Sequence, residues 1–192
     1  MVEKMDTHIP TREEAMELLL KYNKSESLIN HAKAVEGIMR HFAVLYGENP
    51  DKWGVIGLVH DLDYEQYPEQ HCTMTKKILE EAGWDEEYIR AVMSHAWGVC
   101  TDVEPKSKLE KTLYAIDELS GLITACALVR PSRSVMDLEV KSVKKKWKDK
   151  RFAAGANREV IQKGADMLGL TRDELIQYSI EGMRKIAKEL GL

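Results

Sequence analysis

A histidine and an aspartate close the most apolar stretch of the chain. Residues 55–59 read Val-Ile-Gly-Leu-Val, and His60 and Asp61 follow them directly. A run of this kind belongs in a protein interior, where burying a neutral polar group without a partner costs about 2–7 kcal/mol and burying a charge costs more. A divalent metal ion removes that penalty, because it takes neutral imidazole nitrogen and ionised carboxylate oxygen as ligands. The pair therefore predicts a metal site.

Four further residues able to bind a metal ion have plausible inward orientations on predicted helices: His31, His71, His95 and Asp117. A single histidine on an apolar helix face is most often a hydrogen-bonded core residue, and Asp117 alone could pair with Arg130 or a lysine. The six residues together offer imidazole and carboxylate without a thiolate, which suits Mn, Fe, Co, Ni or Zn. We therefore expect the set to converge on one site.

The elements that must position these residues are predicted to be helices throughout. Apolar residues recur at three- and four-residue steps, and no useful length of chain alternates with a period of two. Thr-x-x-Glu capping boxes begin at Thr11 and Thr171, and Asn49 with Pro50 marks another helix start. The predicted helices span about 11–23, 27–46, 50–61, 69–81, 86–95, 107–127 and 136–147, with two more closing the chain. The fold class is predicted to be all-α.

The two remaining histidines are excluded from the candidate site. His8 belongs to a predicted N-terminal arm, residues 1–10. His41 shares a helix with His31 but is predicted to project away from the apolar stripe, onto a solvated face.

The composition points to an ordinary globular protein of one domain. The chain has 192 residues, 44% of them hydrophobic, and a net charge of −4, so nucleic acid is not an expected partner. Three cysteines without a Cys-x-x-Cys spacing argue against a disulfide framework and for a reducing compartment. The first residues lack the apolar core of a signal peptide, and no apolar run approaches about 18 residues. We expect a cytoplasmic protein without a membrane partner.

The ordered ligand set resembles the HD-domain superfamily of metal-dependent phosphohydrolases. The resemblance rests on the order His31, His60-Asp61, Asp117, and the interposed His71 and His95 are similar to the extended pattern of members that hold two metals. It covers about residues 25–128 and implies an HD-domain-like helical bundle. Residues 129–192 are then additional C-terminal helices of a single domain that spans residues 1–192.

The resemblance also implies roles for the six residues. It assigns His31, His60, Asp61 and Asp117 to one metal ion, and gives Asp61 a bridging role to a second ion that His71 and His95 hold. The implied cofactor is one or two divalent ions (Mn, Fe, Ni, Co, Zn or Mg). The implied activity is hydrolysis of a small phosphate ester or nucleotide by metal-activated water.

The sequence departs from the family pattern after the central pair. Many members read His-Asp-Ile-Gly-Lys, whereas this chain reads His-Asp-Leu-Asp-Tyr from His60, and the signature of cyclic dinucleotide phosphodiesterases is missing. Asp63 and Glu65 are candidates, beside Asp61, for a catalytic role: they could support the metal ligands or transfer protons. A solvated turn explains Asp63 and Glu65 equally well.

A basic stretch in the C-terminal part is the densest supply of cations for a phosphate group. The candidate ligands of a substrate phosphate in this stretch are Lys144, Lys145 and Arg158. A solvated helix face is the simpler interpretation of the same stretch. Nucleic-acid binding through it is disfavoured, since the stretch lacks an interleaved aromatic platform.

Two other functions remain open on the ligand set alone. Oxygenases of the HD-domain type use the same six ligands for a di-iron pair and dioxygen, and ligand identity does not separate them from hydrolases. A ligand-sensing HD module without turnover is the third interpretation, and the complete ligand set argues against it.

Overall fold

The structure, a computed structural model, describes residues 8–192, so most of the predicted N-terminal arm lies outside the described residues. All regular structure within this range is helical, which confirms the predicted all-α class. Residues 8–192 form a 3₁₀ turn at Pro68–Gln70 and ten α-helices: α1 (Arg12–Tyr22), α2 (Glu26–Tyr46), α3 (Pro50–Val59), α4 (Thr73–Glu81), α5 (Glu86–Ser94), α6 (Lys108–Leu128), α7 (Val140–Trp147), α8 (Arg158–Leu168), α9 (Arg172–Arg184) and α10 (Ala187–Leu190).

Two predicted helices begin later than expected, for local reasons. The predicted helix from residue 69 is interrupted at Cys72, whose φ of +69° lies in the left-handed region, and α4 begins only after it. The predicted helix from residue 136 begins at Val140, because serine side chains hold the preceding turn. Oγ of Ser132 accepts from the backbone N–H of Ser134, and Oγ of Ser134 accepts from that of Met136.

The two longest helices, α2 and α6, contact each other at the centre of the fold. α3 and α9 pack on α2, α8 packs on α6, and α1 covers α3. The buried apolar side chains form one continuous core that includes residues from α1 to α10. The helices that form this core carry the candidate ligands.

The C-terminal helices join that core through glycine contacts. A Cβ on Gly164 of α8 would lie 2.5 Å from Cα of Ala115 in α6. A Cβ on Gly182 of α9 would lie 2.7 Å from Cα of Ile38 in α2. Only glycine permits these approaches, so residues 129–192 pack directly against the segment that carries the ligands.

His41 is buried, which corrects the prediction of a solvated face. Its exposed fraction is 7%. The Nε2–H donates to Oε2 of Glu181 at 3.0 Å, and Nδ1 accepts from Nζ of Lys185 at 2.9 Å. The error has a physical cause: α2 is covered by α3, α6 and α9 on several sides, whereas a single apolar stripe predicts only one buried face.

Among residues 8–192, no helix combines the length and the apolar character needed to cross a membrane.

Candidate metal centre

Five separate segments of the chain bring the six candidate ligands together. Two ligands lie within the central helices, His31 in α2 and Asp117 in α6. The other segments are helix ends: His60 with Asp61 after α3, His71 before α4, and His95 after α5. The convergence expected from the sequence is therefore present in the geometry.

Four of the residues form a first group of ligand atoms: His31, His60, Asp61 and Asp117. Nε2 of His31 lies 3.2 Å from Nε2 of His60 and 3.0 Å from Oδ1 of Asp117. Nε2 of His60 lies 3.2 Å from the same Asp117 oxygen and 3.3 Å from Oδ2 of Asp61. Two ligand atoms about 2.1 Å from one ion are about 3.0–3.4 Å apart in octahedral or tetrahedral geometry. The first group has the dimensions of a single-ion site.

Asp61 also belongs to a second group, with His71 and His95. Its Oδ1 lies 3.2 Å from Nε2 of His95 and 3.5 Å from Nε2 of His71. This oxygen is buried and accepts no hydrogen bond from any residue in the described range. One carboxylate thus faces two sets of imidazoles, as a carboxylate that bridges two ions must.

Two of the imidazoles are oriented by the helix ends that carry them. Nδ1–H of His60 donates to the carbonyl oxygen of Gly57 at 2.7 Å. Nδ1–H of His95 donates to the carbonyl oxygen of Val92 at 2.6 Å. Both acceptors are carbonyls of a last helical turn, and the carbonyl of Val92 also accepts from the backbone N–H of His95. With the hydrogen on Nδ1, Nε2 of each ring presents a lone pair to the carboxylates.

Side chains orient the other two imidazoles in the same sense. Nδ1–H of His71 donates to Oδ1 of Asp63 at 2.8 Å. Nδ1 of His31 lies 3.2 Å from the hydroxyl oxygen of Ser120, which donates its own hydrogen to the Asp117 carbonyl at 2.7 Å. The Ser120 hydroxyl therefore accepts from Nδ1–H of His31. Nε2 of His31 is then unprotonated, like Nε2 of the other three rings. Such partners are the usual support of metal-binding histidines.

This donor set fits a divalent cation. Four imidazole Nε2 atoms and the carboxylates of Asp61 and Asp117 face one another. Because each of these rings uses Nδ1–H for another bond, its Nε2 in the neutral ring has no hydrogen to donate to the carboxylates. Neutral nitrogen and carboxylate oxygen are ligands of Mn, Fe, Co, Ni and Zn. The buried Oδ1 of Asp61 without a partner is the clearest sign that a positive charge belongs here.

The pKa shifts of the residues in the cluster also reflect this excess of hydrogen-bond acceptors. Burial alone lowers the pKa of His60, but the carboxylates of Asp61 and Asp117 outweigh it and raise that pKa well above its usual value. Burial opposes ionisation of both aspartates, yet the imidazoles around them, His60 foremost, hold the pKa of each carboxyl well below its usual range. The cluster therefore attracts positive charge, whether as protons or as metal ions.

The two acidic residues after the central pair have different surroundings. Asp63 is fully buried, and its Oδ2 accepts from the backbone N–H of Thr75 at 2.8 Å while Oδ1 accepts from His71. It is not part of a solvated turn. Glu65 is exposed, and its carboxylate accepts from two backbone N–H groups just before α2, at 2.7 and 3.0 Å. The structure joins Asp63 to the cluster and leaves Glu65 outside it.

The predicted phosphate-binding cations are not brought to the cluster. Nζ of Lys144 lies 2.8 Å from a carboxylate oxygen of Asp173, and Lys145 is exposed. The guanidinium of Arg158 donates to backbone carbonyls between residues 149 and 156. None of the three lines the cavity beside the ligands. They lie apart because α7 presents Lys144 to α9, and because Arg158 is used to order the chain before α8.

A cavity of about 630 Å³ opens beside the ligands. Its lining includes the aromatic side chains of Tyr64, Trp97 and Tyr114 and the carboxylate of Glu118. No lysine or arginine of the described chain belongs to this lining. One ammonium group approaches the wall, since Nζ of Lys163 lies 3.7 Å from the centre of the Trp97 ring. The cavity thus combines an aromatic wall with acidic groups.

Sequence reasoning missed Glu118, Trp97 and Lys163. Burial and the neighbouring Asp117 carboxylate raise the pKa of Glu118, which also accepts from the backbone N–H of Asn157 at 3.3 Å. Its position directly after a predicted ligand was an available signal. Nothing in the sequence pattern connects Trp97 with Lys163, because only the packing of α8 brings them together.

Comparisons of the chain with protein-family models, with curated proteins and with solved structures gave no match.

Proposed function

We propose that this chain is a metal-dependent phosphohydrolase of the HD-domain type that acts on a small phosphate ester or a nucleotide. The observation that carries the proposal is the position of Asp61, whose two oxygens face separate sets of imidazole nitrogens at 3.2–3.6 Å. In this proposal one ion is held by His31, His60, Asp61 and Asp117, and a second by Asp61, His71 and His95. The imidazole-rich set favours a transition metal over Mg, which prefers oxygen ligands.

A divalent ion held by these residues would lower the pKa of its bound water far enough to supply hydroxide at neutral pH. The chain itself contributes position and charge. Four imidazoles fixed at Nδ1 hold their Nε2 atoms at set distances from Asp61 and Asp117. Glu118 lines the cavity, and burial and the Asp117 carboxylate raise the pKa of its carboxyl, which makes it the candidate for proton transfer to the leaving oxygen.

The test is an assay of purified, metal-stripped protein reloaded separately with Mn, Co, Ni, Zn or Fe(II). The substrates are p-nitrophenyl phosphate and a panel of nucleotides and sugar phosphates, with released phosphate as the readout. We expect turnover that depends on the added metal. Inactivity with every metal across the whole panel contradicts the proposal.

Metal counting separates the two groups of ligands. We expect two ions per chain in the wild type and one in His71→Ala. Asp61→Asn is expected to lose both ions and to reduce turnover more than about 100-fold, beyond the effect typical of a residue that only supports a ligand. Asp102→Asn is the matched control, since Asp102 is exposed and is not a member of the cluster.

A di-iron oxygenase is the second candidate, because one observation favours it. A phosphate site ordinarily has Arg or Lys beside the metals, and the cavity lining in the described chain has neither. An uncharged substrate would fit an aromatic and acidic lining better than a phosphate dianion does.

Anaerobic loading with Fe(II) distinguishes the two chemistries. A phosphohydrolase releases phosphate without consuming dioxygen. Dioxygen consumption on addition of an organic substrate, together with an electron paramagnetic resonance signal from a mixed-valent iron pair, would replace the hydrolase proposal with the oxygenase.

A further inference from the structure

Two cysteine sulfurs lie beside the candidate metal centre. Cys72 follows His71 directly and is 1% exposed, whereas Cys100 is exposed in the turn of residues 97–101 and lines the cavity. Their Sγ atoms lie within 4.8 Å of each other, and a ring nitrogen of His71 lies within the same distance of both. Neither sulfur is among the ligands proposed above. The third cysteine, Cys126, is buried in α6.

We propose that Cys72 and Cys100 are a modification site, at which a peroxide that reaches the cavity converts the two thiols into a reversible disulfide.

The separation of the two sulfurs is compatible with this bond. A disulfide has an S–S length of about 2.05 Å, so the two sulfurs must approach by less than about 3 Å. Rotation about the Cα–Cβ bonds of two cysteines moves the sulfurs by distances of this order. The turn that carries Cys100 includes Gly98, at a φ of +78°, and is held by N–H groups that share the carbonyl of Ala96. The backbone of Cys72 has a φ of +69°, in the left-handed region.

The reaction balances with a hydroperoxide as the only oxidant. The exposed Cys100 thiol takes one oxygen from the hydroperoxide, which leaves as an alcohol, or as water when the oxidant is hydrogen peroxide, and a sulfenic acid forms. The Cys72 sulfur then attacks the Cys100 sulfur. The S–S bond forms, the S–O bond breaks, and the oxygen leaves as water with the Cys72 proton. Two thiols lose two electrons in total, and the peroxide bond gains them.

The bond has a consequence for the candidate site, and this step rests on the proposed function. The disulfide ties the turn of residues 97–101 to the residue directly after His71. We expect Nε2 of His71 to be drawn from its position 3.5 Å from Asp61 and the second ion to be lost. Reduction should restore it.

The experiment is peptide mapping of metal-free, full-length protein after mild hydrogen peroxide treatment, with alkylation of free thiols before tryptic digestion. We expect a linked pair of peptides, residues 53–76 with residues 91–106, which dithiothreitol separates. Cys126→Ala should give the same linked pair. Cys100→Ser, at an exposed position, should give none and should leave Cys72 alkylated or over-oxidised, and Cys72→Ala should give none either.

Absence of the 72–100 link in folded wild type, with both thiols alkylated or converted to sulfinic acid, overturns the proposal. Links to Cys126 at equal abundance overturn it as well, because they indicate reaction of unfolded chains. The mapping uses neither metal nor substrate, so its outcome is independent of the proposed hydrolase activity. Metal counting before and after oxidation tests the loss of the second ion separately.

Discussion

The orientation of four imidazoles is the strongest residue-level sign of function in this protein. One buried histidine with a bonded Nδ1 is an ordinary core residue. Here four rings each use Nδ1 for a bond directed away from the cluster and direct Nε2 toward aspartate oxygens. A structural hydrogen-bond network would instead pair donors with acceptors at the centre. The arrangement is better suited to binding a cation than to a core whose polar groups are all paired by hydrogen bonds with one another.

Asp63→Asn tests the support of the second ligand group. The substitution removes the charge that His71 Nδ1–H bonds to, and it keeps the size of the side chain. We expect metal affinity at the group of Asp61, His71 and His95 to fall about 10–100-fold, with little change at the other group. Titration with a metal in competition with a chelator measures both steps. Asp102→Asn is the control, and an equal loss at both groups would contradict a local role for Asp63.

His41→Gln tests a pH dependence away from the metal centre. Burial lowers the pKa of His41, and the charge of Lys185 acts in the same direction against the Glu181 carboxylate. The unfolded chain, with a histidine pKa of about 6.5, therefore binds more protons than the folded chain as the pH falls. The stability that neutral His41 contributes is complete above pH about 6.5 and is lost as the pH falls from there toward its lower folded pKa.

The measurement is the free energy of unfolding in urea between pH 7.5 and pH 5. His41→Gln should reduce the slope against pH, by at most about 1.4 kcal/mol per pH unit for one proton. His8→Gln is the matched control at an exposed histidine. Identical slopes for wild type and His41→Gln would show that this imidazole does not titrate differently on unfolding.

At the scale of elements, helix ends and close helix crossings set the site. His60 and His95 are each the first residue beyond a helix, where the backbone carbonyl three residues earlier accepts from Nδ1–H and fixes the ring. The lining of the cavity includes Val160 of α8, a helix that Gly164 allows to approach α6. A change at this crossing should therefore affect stability and the cavity together.

Gly164→Ala should destabilise the fold by about 1–3 kcal/mol, because the new Cβ would lie 2.5 Å from Ala115 and the helices must separate. Gly121→Ala is the matched control, because apart from its own stretch of helix no atom of residues 8–192 lies within 4 Å of the new Cβ. It should stabilise the fold by up to about 1 kcal/mol through helix propensity. Denaturant unfolding measures both, and equal effects of the two substitutions would refute the role of the crossing.

At the scale of the whole molecule, the candidate ligands connect five segments across one core. An ion held at this point links α2, α6 and the ends of three other helices. Ion binding by the folded chain alone should therefore stabilise the entire fold rather than one segment.

Metal removal tests this coupling. Free ion at about 1,000 times its dissociation constant should stabilise the protein by about 4 kcal/mol, which corresponds to about 8–16 °C in Tm for a chain of this size. Thermal unfolding with Mn or Zn, and then with excess chelator, measures the difference. Asp61→Asn should show little shift. An equal shift in that variant would indicate binding elsewhere.

The sequence by itself determined the helical class, most helix boundaries and the identity of the residues that meet at the centre. Periodicity and capping residues such as Thr11 and Asn49 act over a few positions, so they can be recognised without a fold. Asp63 was identified as a candidate but not distinguished from a solvated turn. The domain extent, the metal and the activity remain predictions.

Only the tertiary structure decided which side chains share a space. It buried His41, directed Glu65 to the start of α2, and moved Lys144 and Arg158 away from the cluster that they were expected to serve. It also placed Cys100 beside Cys72 and Glu118 in the cavity. The reason is that helical periodicity reports which face is apolar, whereas the neighbours of a polar side chain depend on how separate helices pack.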